Sequence, residues 1–380
     1  MTNTRTLLSL FHGRFDGDIV DSLHYFFTVG LVVIFAAVVA AKQYFGSPID
    51  CWVPDKFTNA MERYTENYCF AENTYWVPLH EVIPREVYNR RNRQLGYYQW
   101  VPLILALQAL LVYWPRIVWT LINWHSGPHV QSLVELAKDS RLVNQETRQR
   151  MVQAIAATIS YGKGRLSPRN RLDNLLSCTR CSGASATLLY LGVKLLCAFN
   201  IVFQVLLLNK LLGDSSSGRL YGTNVFIALW NGYELEGPNS LPGLILCDFE
   251  VRVLGNVQHH TVQCVLSING LSEKIFIFLH FWYLLLAVAS FASVVYWAYV
   301  LFLPSCQRSF VSKYMEGAES HAYPITNAFS AGKFADNVLG YDGVFVLRMI
   351  ALHAGDFPCF EVCKALMKGC DANEESLMNG

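Results

Sequence analysis

Hydrophobic residues in this chain fall into four long blocks separated by polar segments. Three blocks contain no Asp, Glu, Lys or Arg over 20, 22 and 33 residues, namely 22–41, 94–115 and 275–307. A fourth block, 195–209, is 15 residues long and is bounded by Lys194 and Lys210. A helix needs about 20 apolar residues to cross a hydrocarbon core of about 30 Å. The pattern therefore predicts four membrane-spanning helices, the third over 188–208 with Lys194 near one end.

Composition supports a membrane protein and excludes several function classes. The 380 residues are 53% hydrophobic and 16% charged, whereas soluble domains average about 25% charged residues. The net charge of +1 gives no reason to expect nucleic-acid binding. The four blocks contain no carboxylate, which argues against a proton-coupled pump. Neither an enzyme activity nor a cofactor is predicted. A metal site is not predicted either, because Cys178-x-x-Cys181 lacks a second ligand pair at zinc spacing.

Charge asymmetry between the connecting segments predicts the topology. Segment 116–186 has ten Lys and Arg against four Asp and Glu, 42–95 has seven against seven, and 209–274 has four against six. Because basic residues accumulate on the cytoplasmic side, the middle segment and both termini should be cytoplasmic.

The cysteines agree with this topology. Cys51 and Cys69 fall in the first outside segment, and Cys247 and Cys264 fall in the second. A matched even set on the oxidising side indicates disulfides. Four cysteines allow three connectivities, and the matched spacing favours two bridges that join the segments.

We predict an all-α membrane protein with four transmembrane helices, a disulfide-braced extracellular α+β cap that includes a strand over 244–254, and a helical cytoplasmic domain. That domain should contain an amphipathic helix over 130–160 and helical stretches at 343–354 and 360–368 in the tail. The predicted segments are an amino-terminal segment 1–21, span 22–41, outside segment 42–95, span 96–122, cytoplasmic segment 123–187, span 188–208, outside segment 209–274, span 275–303 and cytoplasmic tail 304–380.

The amino-terminal segment allows two interpretations from its residues alone. Leu7, Phe11, Phe15 and Ile19 recur every four positions, and three aspartates follow at 16, 18 and 21. Such a segment could lie on the membrane surface or fold back into a pore.

Four helices cannot enclose a wide aqueous path, so a conducting subunit of this size must form a ring. The two outside segments contain no Asn-x-Ser/Thr sequon, and bulky glycans would obstruct docking between two such rings. The architecture therefore favours a channel that docks with another in an adjacent membrane.

Several motifs resemble those of the innexins, the invertebrate gap-junction family. The most specific is the string at the start of the second span, and the matches extend over about residues 14–369. The matching strings are Tyr97-Tyr-Gln-Trp-Val-Pro102, Gln43-Tyr-Phe-Gly-Ser-Pro-Ile-Asp-Cys51-Trp52, Cys247-Asp-Phe-Glu-Val-Arg252, Thr261-Val-Gln-Cys264 and Val346-Leu-Arg-Met-Ile350.

The resemblance implies properties that the residues alone do not give. Innexins form octameric hemichannels that dock end to end between cells, with their amino termini folded into the pore mouth. It implies the bridges Cys51–Cys264 and Cys69–Cys247, and it favours the pore interpretation of residues 1–21. Pro102 is expected to bend the second span.

We expect passive passage of ions and small solutes, with selectivity from rings of charge. The candidate pore-lining residues are Asp16, Asp18, Asp21 and Lys42. Three alternatives remain open at the sequence level. The chain could act as an undocked plasma-membrane hemichannel that releases small metabolites. It could need a partner innexin to conduct, since the resemblance implies a homo- or hetero-oligomer with innexin subunits. It could also be a four-span adhesion or scaffold protein.

Overall fold

A computed structural model describes residues 17–72, 74–77, 81–84, 86–125, 130–139, 145–161, 185–212, 242–319, 334–335 and 339–378. Their helices are α1 (Ile19–Phe45), α2 (Asn59–Ala71), α3 (Val87–Arg91), α4 (Tyr97–Leu121, continuing to His125), α5 (Val130–Asp139), α6 (Gln145–Tyr161), α7 (Ser185–Leu212), α8 (Ser267–Phe302), α9 (Pro304–Glu319), α10 (Gly340–His353) and α11 (Asp356–Met378). Their strands are β1 (Asp50–Trp52), β2 (Thr74–Tyr75), β3 (Leu244–Val253) and β4 (Asn256–Val265). Contacts group the chain into two compact units, a helical unit (1–26, 113–199 and 288–380) and a sheet unit (27–112 and 200–287).

Four of these helices, α1, α4, α7 and α8, are long and apolar enough to cross a membrane. This confirms the prediction of four spans. The helices extend beyond the charge-free blocks, because α1 begins at Ile19 and α8 already begins at Ser267. Asp21 and Glu273 therefore lie inside membrane-length helices, although the blocks themselves contain no carboxylate.

The first span is not a regular α-helix throughout. A π-helical turn occupies Leu23–Thr28, between a short α-helical start and the long α-helix Val29–Phe45. Such turns occur mostly as single insertions and often at functional positions. The His24 ring in this turn lies 3.2 Å from the Cys197 carbonyl oxygen of α7.

The sheet unit contains a four-stranded antiparallel sheet in the order β1-β4-β3-β2. Its centre is the hairpin of β3 and β4, which turns at Leu254 and Gly255 with positive φ angles of 51° and 87°. The predicted strand over 244–254 corresponds to β3. Because β1 and β2 come from the segment after the first span, the sheet joins both outside segments.

The helical unit has its own hydrophobic core. Helices α5, α6, α9, α10 and α11 pack together, and Phe345 and Ile350 of α10 are fully buried. The single amphipathic helix expected over 130–160 is two helices, α5 and α6, and their apolar faces bury Ala137 and Ile155. The tail forms α9, α10 and α11, which agrees with the expected helical stretches.

Candidate functional site

Two disulfides hold the outside segments to one another. The Cys51 and Cys264 sulfurs are bonded, and so are those of Cys69 and Cys247. Cys51 and Cys264 are directly paired residues of β1 and β4, whereas Cys69 reaches the sheet from α2. These are the two pairs that the innexin resemblance implies. Three of the four sulfurs lie within 4.8 Å of one another, but each is oxidised, so none is a thiolate that could hold a metal.

Asp248, next to Cys247, organises the polar side of the sheet. Its carboxylate accepts hydrogen bonds from the Tyr75 hydroxyl at 3.1 Å and from the Thr261 hydroxyl at 2.7 Å. Arg90 donates to the other oxygen at 2.7 Å. Burial, with the adjacent Asp248 charge, raises the pKa of Tyr75 to about 12. The Asp248 contacts therefore hold the segment around Arg90 against the sheet.

The string Tyr97–Pro102 joins the start of the second span to the carboxyl end of α2. The buried Tyr98 hydroxyl donates to the Phe70 carbonyl at 2.9 Å. Gln99 Nε2 donates to the same carbonyl at 2.7 Å and to that of Ala71 at 3.0 Å. The last carbonyls of a helix have no partner within the helix, so these side chains cap the carboxyl end of α2.

The remaining residues of this string have different surroundings. The Tyr97 hydroxyl accepts a hydrogen bond from Asn269 of α8 at 2.7 Å. Val101 is buried, and Trp100 is 59% exposed, as suits a residue at the membrane interface. Pro102 was expected to bend the second span. It stands instead in the first turn of the α-helical part of α4, Val101–His125, which follows the 3₁₀ turn Tyr97–Trp100, and proline in a first turn removes no α-helical hydrogen bond. The proline inside that helix is Pro115.

At the start of the first span, the helical unit contains a buried ionic cluster, which we call the anchor cluster. It consists of one lysine, two carboxylates and three hydrogen-bonding side chains: Lys194, Asp18, Asp21, Tyr190, Ser293 and Trp297. The Lys194 ammonium lies 2.9 Å from a carboxylate oxygen of Asp18 and 2.9 Å from one of Asp21. The two aspartates come from α1 and its cap, Lys194 and Tyr190 from α7, and Ser293 and Trp297 from α8.

Local sequence explains why both aspartates point to the same place. Asp18 caps α1 by accepting the Asp21 N–H at 2.9 Å, and Asp21 accepts the Asp18 N–H at 3.1 Å. This reciprocal pattern is a capping box. Burial raises the pKa of Asp18, but the Lys194 charge and the hydrogen bonds from Ser293, Lys194 and the backbone outweigh it and lower the pKa to about 2. Asp18 is therefore ionised at neutral pH.

Two contacts from α10 approach this region. Asp342 accepts the Thr187 N–H and hydroxyl at 2.9 Å each, and a carboxylate at a helix start is favourable. His353 lies near the Gly17 backbone, and burial together with nearby Lys138 lowers its pKa to about 4. His353 is therefore neutral at physiological pH.

The structure places the four predicted pore-lining residues differently. Asp16 lies outside the described residues. Asp18 and Asp21 belong to the anchor cluster. Lys42 lies in the last turn of the first span and is half-buried. Their pore-lining role stays a prediction.

The pattern of the sequence did not predict a site at Lys194, Tyr190, Ser293 and Trp297. Sequence places Lys194 near one end of the third span without assigning it a partner, and its side chain is 3% exposed. A lysine within an apolar block, together with an acidic pair at i and i+3 where another block begins, was the available signal. Nothing in the local sequence of the other three residues marks them.

These features define a class of protein: a four-span membrane protein in which the segment after the first span is joined by disulfides to the segment before the fourth span, together with a helical unit. The innexin family model matches residues 17–370. The chain is 51% identical to Innexin unc-9 of Caenorhabditis elegans over 369 residues, which cover 96% of this chain and 95% of that relative. It is 35% identical to Innexin-19 of Caenorhabditis briggsae, over 96% of this chain and 89% of that relative.

The chain belongs to the innexin family. It is a subunit of gap-junction channels and not an enzyme, and it is a multi-pass membrane protein that assembles with innexin subunits.

Proposed function

We propose that eight copies of this chain form a hemichannel in the plasma membrane and that two hemichannels dock end to end between cells. Ions and small solutes then diffuse through one continuous aqueous path. The observation that carries this proposal is the family membership of a chain whose two outside segments form one disulfide-braced sheet. Such a braced sheet supports docking, because a rigid surface loses little conformational freedom when two rings meet.

We also propose that both termini and the segment between the second and third spans are cytoplasmic. The excess of basic residues in 116–186 supports this orientation. The four bridged cysteines support it too, since disulfides persist on the oxidising side of the membrane. In this orientation the sheet unit contains the extracellular surface.

For the pore, we propose that residues 1–21 form a funnel at the cytoplasmic mouth and that Asp16, Asp18, Asp21 and Lys42 contribute rings of charge. Lys194 offsets one of the two negative charges of Asp18 and Asp21. Because every residue repeats around the ring, each charge that faces the pore would be multiplied by the number of subunits.

Paired-cell recording tests the proposal directly. The protein is expressed in both cells of a pair, and we expect a junctional current that is absent when only one cell expresses it. Counting subunits in particles of the purified channel should give eight per hemichannel. Current in single cells without junctional current would replace the proposal with the undocked hemichannel, and cell clustering without either current would replace it with an adhesion role.

A further inference from the structure

The anchor cluster satisfies its lysine completely. A lysine ammonium has three N–H donors, and Lys194 directs them to Asp18 Oδ2 at 2.9 Å, Asp21 Oδ1 at 2.9 Å and Ser293 Oγ at 2.8 Å. The ammonium also lies 5.1 Å from the centre of the Tyr190 ring and 5.9 Å from that of Trp297. A buried charge needs such partners, and here every donor has one.

The two carboxylates are also engaged on both oxygens. Asp18 Oδ2 accepts hydrogen bonds from Ser293 at 2.6 Å and Trp297 at 2.8 Å in addition to Lys194. Asp21 Oδ2 accepts the Tyr190 hydroxyl at 2.9 Å. The capping box uses Asp18 Oδ1 and Asp21 Oδ2. The cluster therefore fixes the backbone at the start of α1 as well as the side chains.

The anchor cluster lies at the point where the amino-terminal segment enters the first span, and this position indicates its function. Asp18 and Asp21 stand where the amino-terminal segment continues into the first span, while Lys194, Ser293 and Trp297 belong to α7 and α8. One turn of backbone is thus held by side chains from two other spans. On the carboxyl side of the same turn, the Arg116 guanidinium lies 4.7 Å from the centre of the Tyr25 ring. On the amino side, His353 lies near the Gly17 backbone.

We propose that Lys194 is the positioning residue of the amino-terminal pore segment. Its contacts with Asp18 and Asp21 set where residues 1–17 leave the first span, and thereby set conduction through the pore mouth. This rests on the proposed function, because it assigns a role within the funnel. Lys194 itself does not contact the permeating ions, since its side chain is 3% exposed.

The test compares Lys194→Met with Lys210→Met, a matched control. Both lysines bound the same apolar block, but Lys210 is exposed near the other end of α7. Surface amount is measured by biotinylation, and junctional conductance and its voltage dependence are measured in cell pairs. At equal surface amount, we expect Lys194→Met to lower the conductance several-fold and shift its voltage dependence. We expect Lys210→Met to behave as wild type.

A third variant covers the case in which Lys194→Met does not reach the surface. Asp18→Asn/Asp21→Asn/Lys194→Met removes all three charges at nearly constant volume, so no unpaired buried charge remains. We expect it to reach the surface and still show altered voltage dependence, because the ionic hold is gone. Wild-type conductance and voltage dependence in whichever variant reaches the surface would overturn the proposal. Absence of junctional current from the wild-type protein would instead refute the proposed function.

Discussion

Removing cysteines two at a time tests the disulfide pairing, in which Cys51 is bonded to Cys264 and Cys69 to Cys247. The variant Cys51→Ser/Cys264→Ser keeps the partners Cys69 and Cys247, so it should contain one outside disulfide and no free outside thiol. The variant Cys51→Ser/Cys69→Ser keeps Cys247 and Cys264, each without its partner. These two occupy diagonal positions of β3 and β4, since Cys247 pairs with Val262. Diagonal neighbours are about 7–8 Å apart, beyond the usual reach of a disulfide.

The structure also gives the size of the stability change expected when one bridge is lost. The bridges span 213 and 178 residues, so with one bridge formed the other closes a ring of about 35 residues, the difference between the two separations. The loop-entropy relation converts a ring of this size to about 4 kcal/mol of stability. This value is an upper bound for the loss of one bridge, because the membrane spans already restrict the ends of both outside segments.

Mass spectrometry after thiol alkylation measures the pairing, and thermal melting of the purified protein in detergent measures the stability. We expect two alkylated outside thiols in Cys51→Ser/Cys69→Ser and none in Cys51→Ser/Cys264→Ser. Both variants should melt below wild type, and Cys51→Ser/Cys69→Ser should melt lowest because it loses both bridges. Two free thiols at Cys69 and Cys247 in the first variant would refute the pairing. An intact bridge between Cys247 and Cys264 in the other would refute the geometric reasoning.

Three further predictions concern single residues. Burial raises the pKa of Asp18, yet the Lys194 charge and hydrogen bonds lower it to about 2, so its stabilisation is complete above the ordinary value of 3.8 and is lost only as pH falls toward 2. Junctional currents at cytoplasmic pH of about 7 and about 6 should thus respond to acid equally in wild type and Asp18→Asn; an acid response lost in the variant would contradict this. Tyr98→Phe should lower the free energy of unfolding by about 1 kcal/mol and lower the melting temperature. The exposed Tyr44→Phe should melt as wild type, and equal melting of the two variants would refute the capping role. Leu254 is 100% exposed with a φ of 51°, so Leu254→Asn should gain about 1 kcal/mol from relief of strain, and a lower melting temperature would show that no such strain exists.

The periodicity and charge pattern predicted the spans because membrane insertion depends mainly on the local run of apolar residues. The hairpin strand was predictable for a similar local reason, since 244–254 contains the β-branched and aromatic residues that favour strands. The division of the 130–160 helix into α5 and α6 was not predictable, because both parts carry apolar residues at helical spacing. Residues 140–144 lie outside the described residues, and the two helices pack differently, α5 mainly against α10 and α6 against α11.

The start of the first span shows why long-range polar contacts escape local analysis. Counting charge-free residues placed the boundary at Ser22, because an aspartate inside a span is costly without a partner. Its partner Lys194 lies far along the chain, within another apolar block. Asp21 or Lys194 alone would be costly to bury inside a membrane-length helix. As an ion pair they are buried together in the helical unit. An acidic capping box at the start of one apolar block and a lysine within another should therefore be considered together. Each supplies the opposite charge that the other needs when it is buried.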